Sequence, residues 1–224
     1  MRQDLQIAID GPAGVGKSTV GEQVAKQLGY LYLDTGAMYR ALAWLALQRQ
    51  LDLNDEATLG PLAETFALDI TVPTVADGRQ YTVTVDGHDV TWELRSAAVD
   101  QAVSLVSRLP AVRAAMRQRQ QAIGERGGVV MAGRDIGTVV LPQAQVKVYL
   151  QAALEERARR RWRELHDKQE NAPTFEEVLA DVERRDALDS AQSASAADAV
   201  IIQTESLTRE QVIERILELV YERV

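Results

Sequence analysis

Short apolar runs alternate with longer amphipathic stretches along the chain. This is the pattern of an α/β fold, in which buried parallel strands are joined by helices. Residues 5–9 form the first run, which stops at Asp10-Gly11-Pro12. A helix is expected from Ser18, with Val20, Val24 and Leu28 on one face and Gly29 as its C-terminal stop. Residues 30–33 form a second run closed by Asp34-Thr35-Gly36, and residues 37–48 read as a helix with Met38, Leu42 and Leu45 in register. Residues 129–131, 146–150 and 200–202 are three further short runs suited to central strands. A last helix is expected from Thr208, where Thr208 and Gln211 form a capping box and Val212, Ile216 and Val220 the buried stripe.

Two stretches break the alternation. Between residues 68 and 90 the period falls to two: Ile70 and Val72, then Tyr81, Val83 and Val85 alternating with Thr82 and Thr84. Asp77-Gly78 and Asp86-Gly87 supply turn chemistry, so a small antiparallel meander inserted into the α/β frame is expected. Residues 154–189 read as two charged helices joined by residues 167–173, with Thr174 and Glu177 capping the second. No repeat is visible, and residues 1–224 read as one domain.

Composition narrows the chemistry. The 33 Asp and Glu outnumber the 25 Lys and Arg, a formal charge of −8, which speaks against a general binder of nucleic acid or anionic membrane. The absence of cysteine excludes a disulfide scaffold, Cys-ligated zinc and a cysteine nucleophile. His88 and His166, far apart in sequence, argue against a multi-histidine metal site. No apolar run reaches the ~18 residues of a membrane span, and the first residues carry no secretory signal pattern. A cytoplasmic protein is the expectation, and nothing demands more than a monomer.

Gly11-Pro12-Ala13-Gly14-Val15-Gly16-Lys17-Ser18 matches the phosphate-loop pattern G-x-x-x-x-G-K-[ST], between an expected strand and an expected helix. Glycines let successive backbone N–H groups approach a phosphate, and the helix N-terminus adds its positive dipole end. Lys17 suits the β- and γ-phosphates, and the Ser18 hydroxyl suits a Mg²⁺ ligand. Binding of a nucleoside triphosphate follows. The Asn-Lys-x-Asp and D-x-x-G motifs of switch GTPases are absent, which leaves a small phosphotransferase. An ATP-dependent switch needs fewer arginines than this chain carries.

A kinase for a phosphorylated acceptor needs convergent arginines. Arg40 follows the second strand, Arg134 follows the run at 129–131, and Arg113 stands near the start of a helix opened by Pro110. Ligands of open α/β sheets bind at the carboxyl ends of strands, which places Arg40 and Arg134 where a substrate belongs; each is otherwise a solvated surface charge. Arg157, Arg159, Arg160, Arg161 and Arg163 read equally well as a solvated helix paired with Glu155, Glu156 and Glu164. Asp34 reads either as a holder of a metal's water shell or as a helix N-cap.

The phosphate loop with Thr19, residues 33–40, the string Gly133-Arg134-Asp135-Ile136-Gly137-Thr138-Val139-Val140, residues 155–161 and Arg184-Arg185-Asp186 together resemble the bacterial cytidylate (CMP/dCMP) kinase family over essentially the whole chain. The resemblance implies a three-layer doubly wound fold around a five-stranded parallel sheet. It also implies a monophosphate-binding insert at residues 68–92 and a helical lid at residues 154–189. It implies ATP with Mg²⁺ as donor, CMP or dCMP as acceptor, and Ser104, Arg113 and Asp135 as readers of the cytosine edge. Arg40, Arg134 and Thr35 would hold the acceptor's α-phosphate, and Asp189 would contact the pentose. Arg157, Arg161 and Arg185, with Lys17 and Arg134, would neutralise the transferring phosphoryl group. Beyond Ser190 the chain departs from the family: Gln192 stands where relatives commonly place an arginine, and the following loop is shorter.

Overall fold

The computed structural model describes residues 5–167, 172–189 and 194–223. Five strands, β1 (Gln6–Asp10), β2 (Leu31–Asp34), β6 (Val129–Gly133), β7 (Val146–Gln151) and β8 (Val200–Gln203), form one parallel sheet in the order β2-β6-β1-β7-β8. These are the five apolar runs of the sequence, each continued by one or two residues at its C-terminal end. Ile7, Ala8, Ile9, Leu33, Val130 and Leu150 are fully buried, as strands covered on both faces require.

Crossover handedness distributes the helices. The chain passes from β1 through α1 (Lys17–Leu28) to β2 in one direction across the sheet, then returns from β2 to β6 in the other, so right-handed connections put their helices on opposite faces. The return carries α2 (Thr35–Gln48), α3 (Glu56–Thr65), α4 (Ala97–Val106) and α5 (Pro110–Gly124). α8 (Arg209–Tyr221) packs beside α1, held by the expected Thr208–Gln211 capping box, with Val212, Ile216 and Val220 buried. α2 begins at Thr35, two residues before its apolar pattern, because the Asp34 carboxylate accepts from Gly36 N at 3.0 Å. Asp34 is thus an N-cap. α3 and α4 are additional to the elements that periodicity marked; Asp55 and Ser96 cap them.

The meander forms as β3 (Leu68–Thr71), β4 (Thr82–Val85) and β5 (His88–Asp89), antiparallel, with Leu68 opposite Val85 and Thr71 opposite Thr82. Asp86 and Gly87 both take positive φ, as a two-residue primed turn demands. Asp77-Gly78 makes no second tight turn. Residues 72–81 are a loop organised by the buried Arg79, which meets Asp77 at 2.7 Å and Asp89 at 2.5 Å, while Trp92 Nε1 donates to Asp77 at 2.8 Å. Gln80 donates to Glu22 of α1 at 2.6 Å, docking this loop against the helix that follows the phosphate loop.

α6 (Leu154–His166) and α7 (Phe175–Asp189) pair into a hairpin beyond the ends of β7 and β8, and Thr174 with Glu177 caps α7. Its buried residues, Ala158, Val178 and Val182, form a cluster separate from the main core.

Arg79 holds the Asp77 and Asp89 carboxyls below the ordinary carboxylate range, Asp89 at about 2. A depressed carboxylate stabilises fully above its unfolded pKa near 4 and loses that contribution as pH falls toward its folded value. In a chain with Trp44 and Trp162 replaced by Phe, Trp92 emission should therefore change in acid, below about pH 4. Arg79→Gln should move that transition to higher pH; an unmoved transition would show that Arg79 does not hold the loop.

Candidate active site

β1 ends in the middle of the sheet, with β6 on one side and β7 on the other, so the loop that follows enters a crevice between diverging connections. Gly11 has φ +147° and passes so close to β7 that an added Cβ would lie 2.3 Å from the Leu150 carbonyl oxygen. Gly14 has φ +73° and faces the Arg157 backbone, where a Cβ would come within 3.3 Å of its oxygen. Gly16 is the left-handed N-cap of α1. Pro12, Ala13 and Val15 complete the loop, and Val15 is buried. Lys17 Nζ donates to the carbonyls of Gly11 at 2.6 Å and Pro12 at 2.7 Å, so its charge lies along the loop.

A cavity of about 710 Å³ opens over this loop. Residues 13–20, Lys17, Ser18 and Thr19 among them, form its floor; Arg40 stands at one side and Arg160, Arg161, Arg185 and Arg209 on the others. Its size suits a nucleotide. Arg161 pairs with Glu164 at 2.9 Å and Arg185 with Asp181 at 2.9 Å. Arg160 donates to Thr204 O at 2.8 Å, tying the hairpin to the end of β8. Arg157 is not in the cavity wall. It is 5 % exposed and donates to Ala152 O, to Ala13 O at 3.0 Å and to Asp186 at 2.6 Å, so it clamps the phosphate loop to both hairpin helices.

The second group lies where β6 ends. Arg134 Nη1 donates to Gly11 O at 2.7 Å, bringing the ends of β1 and β6 together. Asp135 pairs with Arg113 of α5 at 3.2 Å. Thr35 is buried and its hydroxyl donates to Ala132 O at 3.0 Å. Arg40 pairs with Asp100 of α4, and Ser104 lies one helical turn further along the same helix, exposed. Tyr39 is pushed up by burial, a rise that the Arg113 charge opposes and the Asp135 charge adds to. The Asp189 side chain and Gln192 lie outside the described residues.

A family model described as "Cytidylate kinase" matches residues 7–222. The chain belongs to the cytidylate kinase family. It is 53 % identical over 217 residues to the cytidylate kinase of Chloroflexus aggregans, covering 97 % of this chain and 94 % of that one. It is 51 % identical to that of Herpetosiphon aurantiacus, covering 96 % and 93 %, and 46 % identical to that of Bacillus subtilis, covering 100 % and 99 %. Among solved structures, a shikimate kinase from Bacteroides thetaiotaomicron matches with a TM-score of 0.50 at 13 % identity, covering 97 % and 98 %, a likeness of fold alone. Membership of the cytidylate kinase family makes the chain a nucleoside-monophosphate kinase, an ATP-dependent phosphotransferase. Among the described residues no helix is long and apolar enough to cross a membrane.

Sequence reasoning missed Asp10, Asp100 and Arg209. Asp10 is 3 % exposed and its two carboxylate oxygens accept from Ile136 N at 2.8 Å and Gly137 N at 2.7 Å. Burial raises its pKa, and those two backbone N–H groups oppose the rise. Arg209 carried a legible signal: a cation in the first turn of α8 sits at the positive end of the helix dipole, a local penalty of the kind that marks functional positions.

Two of the loop's three positive-φ glycines, Gly11 and Gly16, separate sterics from backbone strain. Gly16 has φ +101° but nothing within 4 Å of an added Cβ, whereas at Gly11 the Cβ meets backbone. Gly16→Ala should cost about 1–2 kcal/mol in urea unfolding, and Gly11→Ala at least about 1 kcal/mol more, because β7 must also shift. Equal costs would show that the contact with Leu150 relaxes freely.

Proposed function

We propose that this chain transfers the γ-phosphoryl group of ATP to CMP or dCMP, giving CDP or dCDP and ADP. The observation that carries the site assignment is the joining of the ends of β1 and β6. Arg134 meets Gly11 O at 2.7 Å while its neighbour Asp135 pairs with Arg113 at 3.2 Å, so a phosphate cradle and a base-sized donor–acceptor pair share one edge.

In this reading residues 11–19 hold the donor phosphates, and Lys17 exchanges the carbonyls of Gly11 and Pro12 for phosphate oxygens. Cytosine presents an amino donor at N4 and acceptors at N3 and O2. The Asp135 carboxylate accepts from N4, the Arg113 guanidinium donates to the ring acceptors, and Ser104 adds a hydroxyl from α4. Uracil sets a carbonyl against Asp135 and leaves both acceptors unpaired, a mismatch that supplies discrimination of up to about 10⁴-fold. Arg40 and Arg134 take the acceptor's α-phosphate, with Thr35 beside them, and Asp189 takes the pentose. An α-phosphate oxygen attacks the γ-phosphorus; the bond to the β–γ bridging oxygen breaks, and its electron pair leaves with ADP. The attacking oxygen is already anionic, so no general base is required. Arg161 and Arg185 face the cavity and are assigned to the transferring group; Arg157, fixed by three bonds, holds the loop and hairpin in position.

Mg²⁺ belongs to the same proposal. Among the described residues no three His, Cys, Asp or Glu side chains converge as a metal cage, while Ser18 lines the cavity. That donor set fits an ion that arrives on the triphosphate and keeps most of its waters. Bound there with ATP, it would offset charge on the phosphates.

A coupled ADP-release assay with CMP, dCMP, UMP and AMP tests the reading. CMP and dCMP should turn over best, with CDP or dCDP formed mole for mole with ADP. UMP or AMP turning over as well as CMP would overturn the base assignment, and ATP loss without CDP would overturn the transfer itself. Asp135→Asn should lower the CMP to UMP ratio of kcat/KM by at least about tenfold with the KM for ATP little changed. Asp100 competes with the acceptor phosphate for Arg40, so Asp100→Asn should lower the KM for CMP by about two- to fivefold, within the range of an exposed ion pair. An unchanged or raised KM would show that Arg40 does not bind the acceptor.

A further inference from the structure

The residue before the phosphate loop does work that neither the loop motif nor the acceptor residues account for. Residues 136–140 form a π-helical turn immediately after Arg134-Asp135, with Val140 N donating back to Asp135 O at 3.2 Å and Leu141 N to Ile136 O. The first N–H groups of any helical turn need an acceptor when they are buried, and the residue at the N-cap ordinarily supplies it. Here the N-cap residue is Asp135, of a type that favours capping, yet its side chain makes no capping bond. The cap comes from across the sheet. Asp10, at the end of β1 and 126 residues away from Ile136 in sequence, accepts from Ile136 N at 2.8 Å through one oxygen and from Gly137 N at 2.7 Å through the other. Both donors are buried, and Asp10 itself is 3 % exposed.

Three further observations fit the turn to this carboxylate. Asp10 lies opposite Gly133 in the β1–β6 register, so its side chain starts level with the residues it serves. Gly137 has no side chain where a Cβ would lie 3.3 Å from Asp10 Oδ2. The next carbonyl after Asp10, that of Gly11, accepts from Arg134 at 2.7 Å, so two consecutive residues of β1 and its loop grip the acceptor segment on both sides of Asp135.

We infer that Asp10 is a positioning residue for acceptor selectivity: by capping the 136–140 turn in place of Asp135, it frees the Asp135 carboxylate to pair with Arg113 and read the acceptor's base. This rests on the proposed assignment of Asp135 to the base. In Asp10→Asn one oxygen still accepts, but the amide NH₂ faces the second backbone N–H. That orphaned donor then draws the Asp135 carboxylate into the ordinary capping position and away from Arg113.

The experiment compares wild type, Asp10→Asn, Asp135→Asn and the double variant for kcat/KM with CMP and with UMP, and for the KM of ATP. The expected result is a CMP to UMP ratio lowered about tenfold or more in Asp10→Asn, an ATP KM changed less than about threefold, and no further loss of ratio when Asp10→Asn is added to Asp135→Asn. Independently of activity, the amide proton of Gly137 in ¹⁵N-labelled protein should move upfield in Asp10→Asn, since it loses a charge-assisted acceptor. Should Asp10→Asn not fold, Gly137→Ala, which crowds the same carboxylate from the other side, replaces it with the same expected loss of ratio. CMP and UMP rates that fall in parallel, a fall in ratio that persists in the Asp135→Asn background, or an unmoved Gly137 amide would overturn the inference. A wild type without preference for CMP would instead overturn the base assignment on which it rests.

Discussion

One carbonyl oxygen, that of Gly11, accepts hydrogen bonds from both Lys17 and Arg134, at 2.6 and 2.7 Å. That shared oxygen ties the phosphate loop, the start of α1 and the end of β6 together at one point. The arrangement depends on β1 stopping level with β6, Asp10 standing opposite Gly133, while β7 runs on two residues past Tyr149, the partner of Asp10 on the other side. It depends equally on the absence of a side chain at Gly11, since the loop must pass against the Leu150 carbonyl. A one-residue slip of β1 against its neighbours would put its side chains on the opposite faces of the sheet and carry the carbonyl out of reach.

Several of the protein's guanidiniums are held in ion pairs within it. Arg79, Arg113 and Arg157 all meet carboxylates, and Arg157 also holds a loop carbonyl. The net charge of −8 therefore says little about the cleft, where Arg40, Arg160, Arg161, Arg185 and Arg209 border one cavity. Bulk charge governs long-range encounter, whereas a few placed guanidiniums govern what is held.

The strands were legible because buried parallel strands are unbroken apolar runs, and the phosphate loop because its glycines and lysine are contiguous. α3 was not, since Gly60-Pro61 inside it reads as a break. Packing overrides that signal: α3 lies so near α5 that a Cβ on Gly60 would stand 2.9 Å from that of Ala111. Asp77-Gly78 misled in the opposite sense, because a buried arginine two residues on, rather than a turn, sets the backbone there. Among the cleft residues, Arg134 and Asp135 stood out by following a strand, but Asp10 looks in sequence like any polar residue that ends one. Its partners are 126 and 127 residues away, and no local pattern carries such a pairing. Arg157 was read either as solvated or as a lid cation, and burial under the phosphate loop is a third state that helical spacing does not distinguish.

The separate apolar cluster of α6 and α7 makes that hairpin self-contained in its packing. Ala158, Val178 and Val182 pack with Leu154, Trp162 and Phe175 of the same two helices, so a rigid swing of the pair removes none of their surface from its neighbours. What a swing exchanges is polar: Arg157 with Ala13 O, and Arg160 with Thr204. Bonds made by such charged groups have a net worth of about 1.5–3 kcal/mol apiece. The hairpin thus carries an apolar core of its own and meets the phosphate loop and the end of β8 through guanidinium contacts.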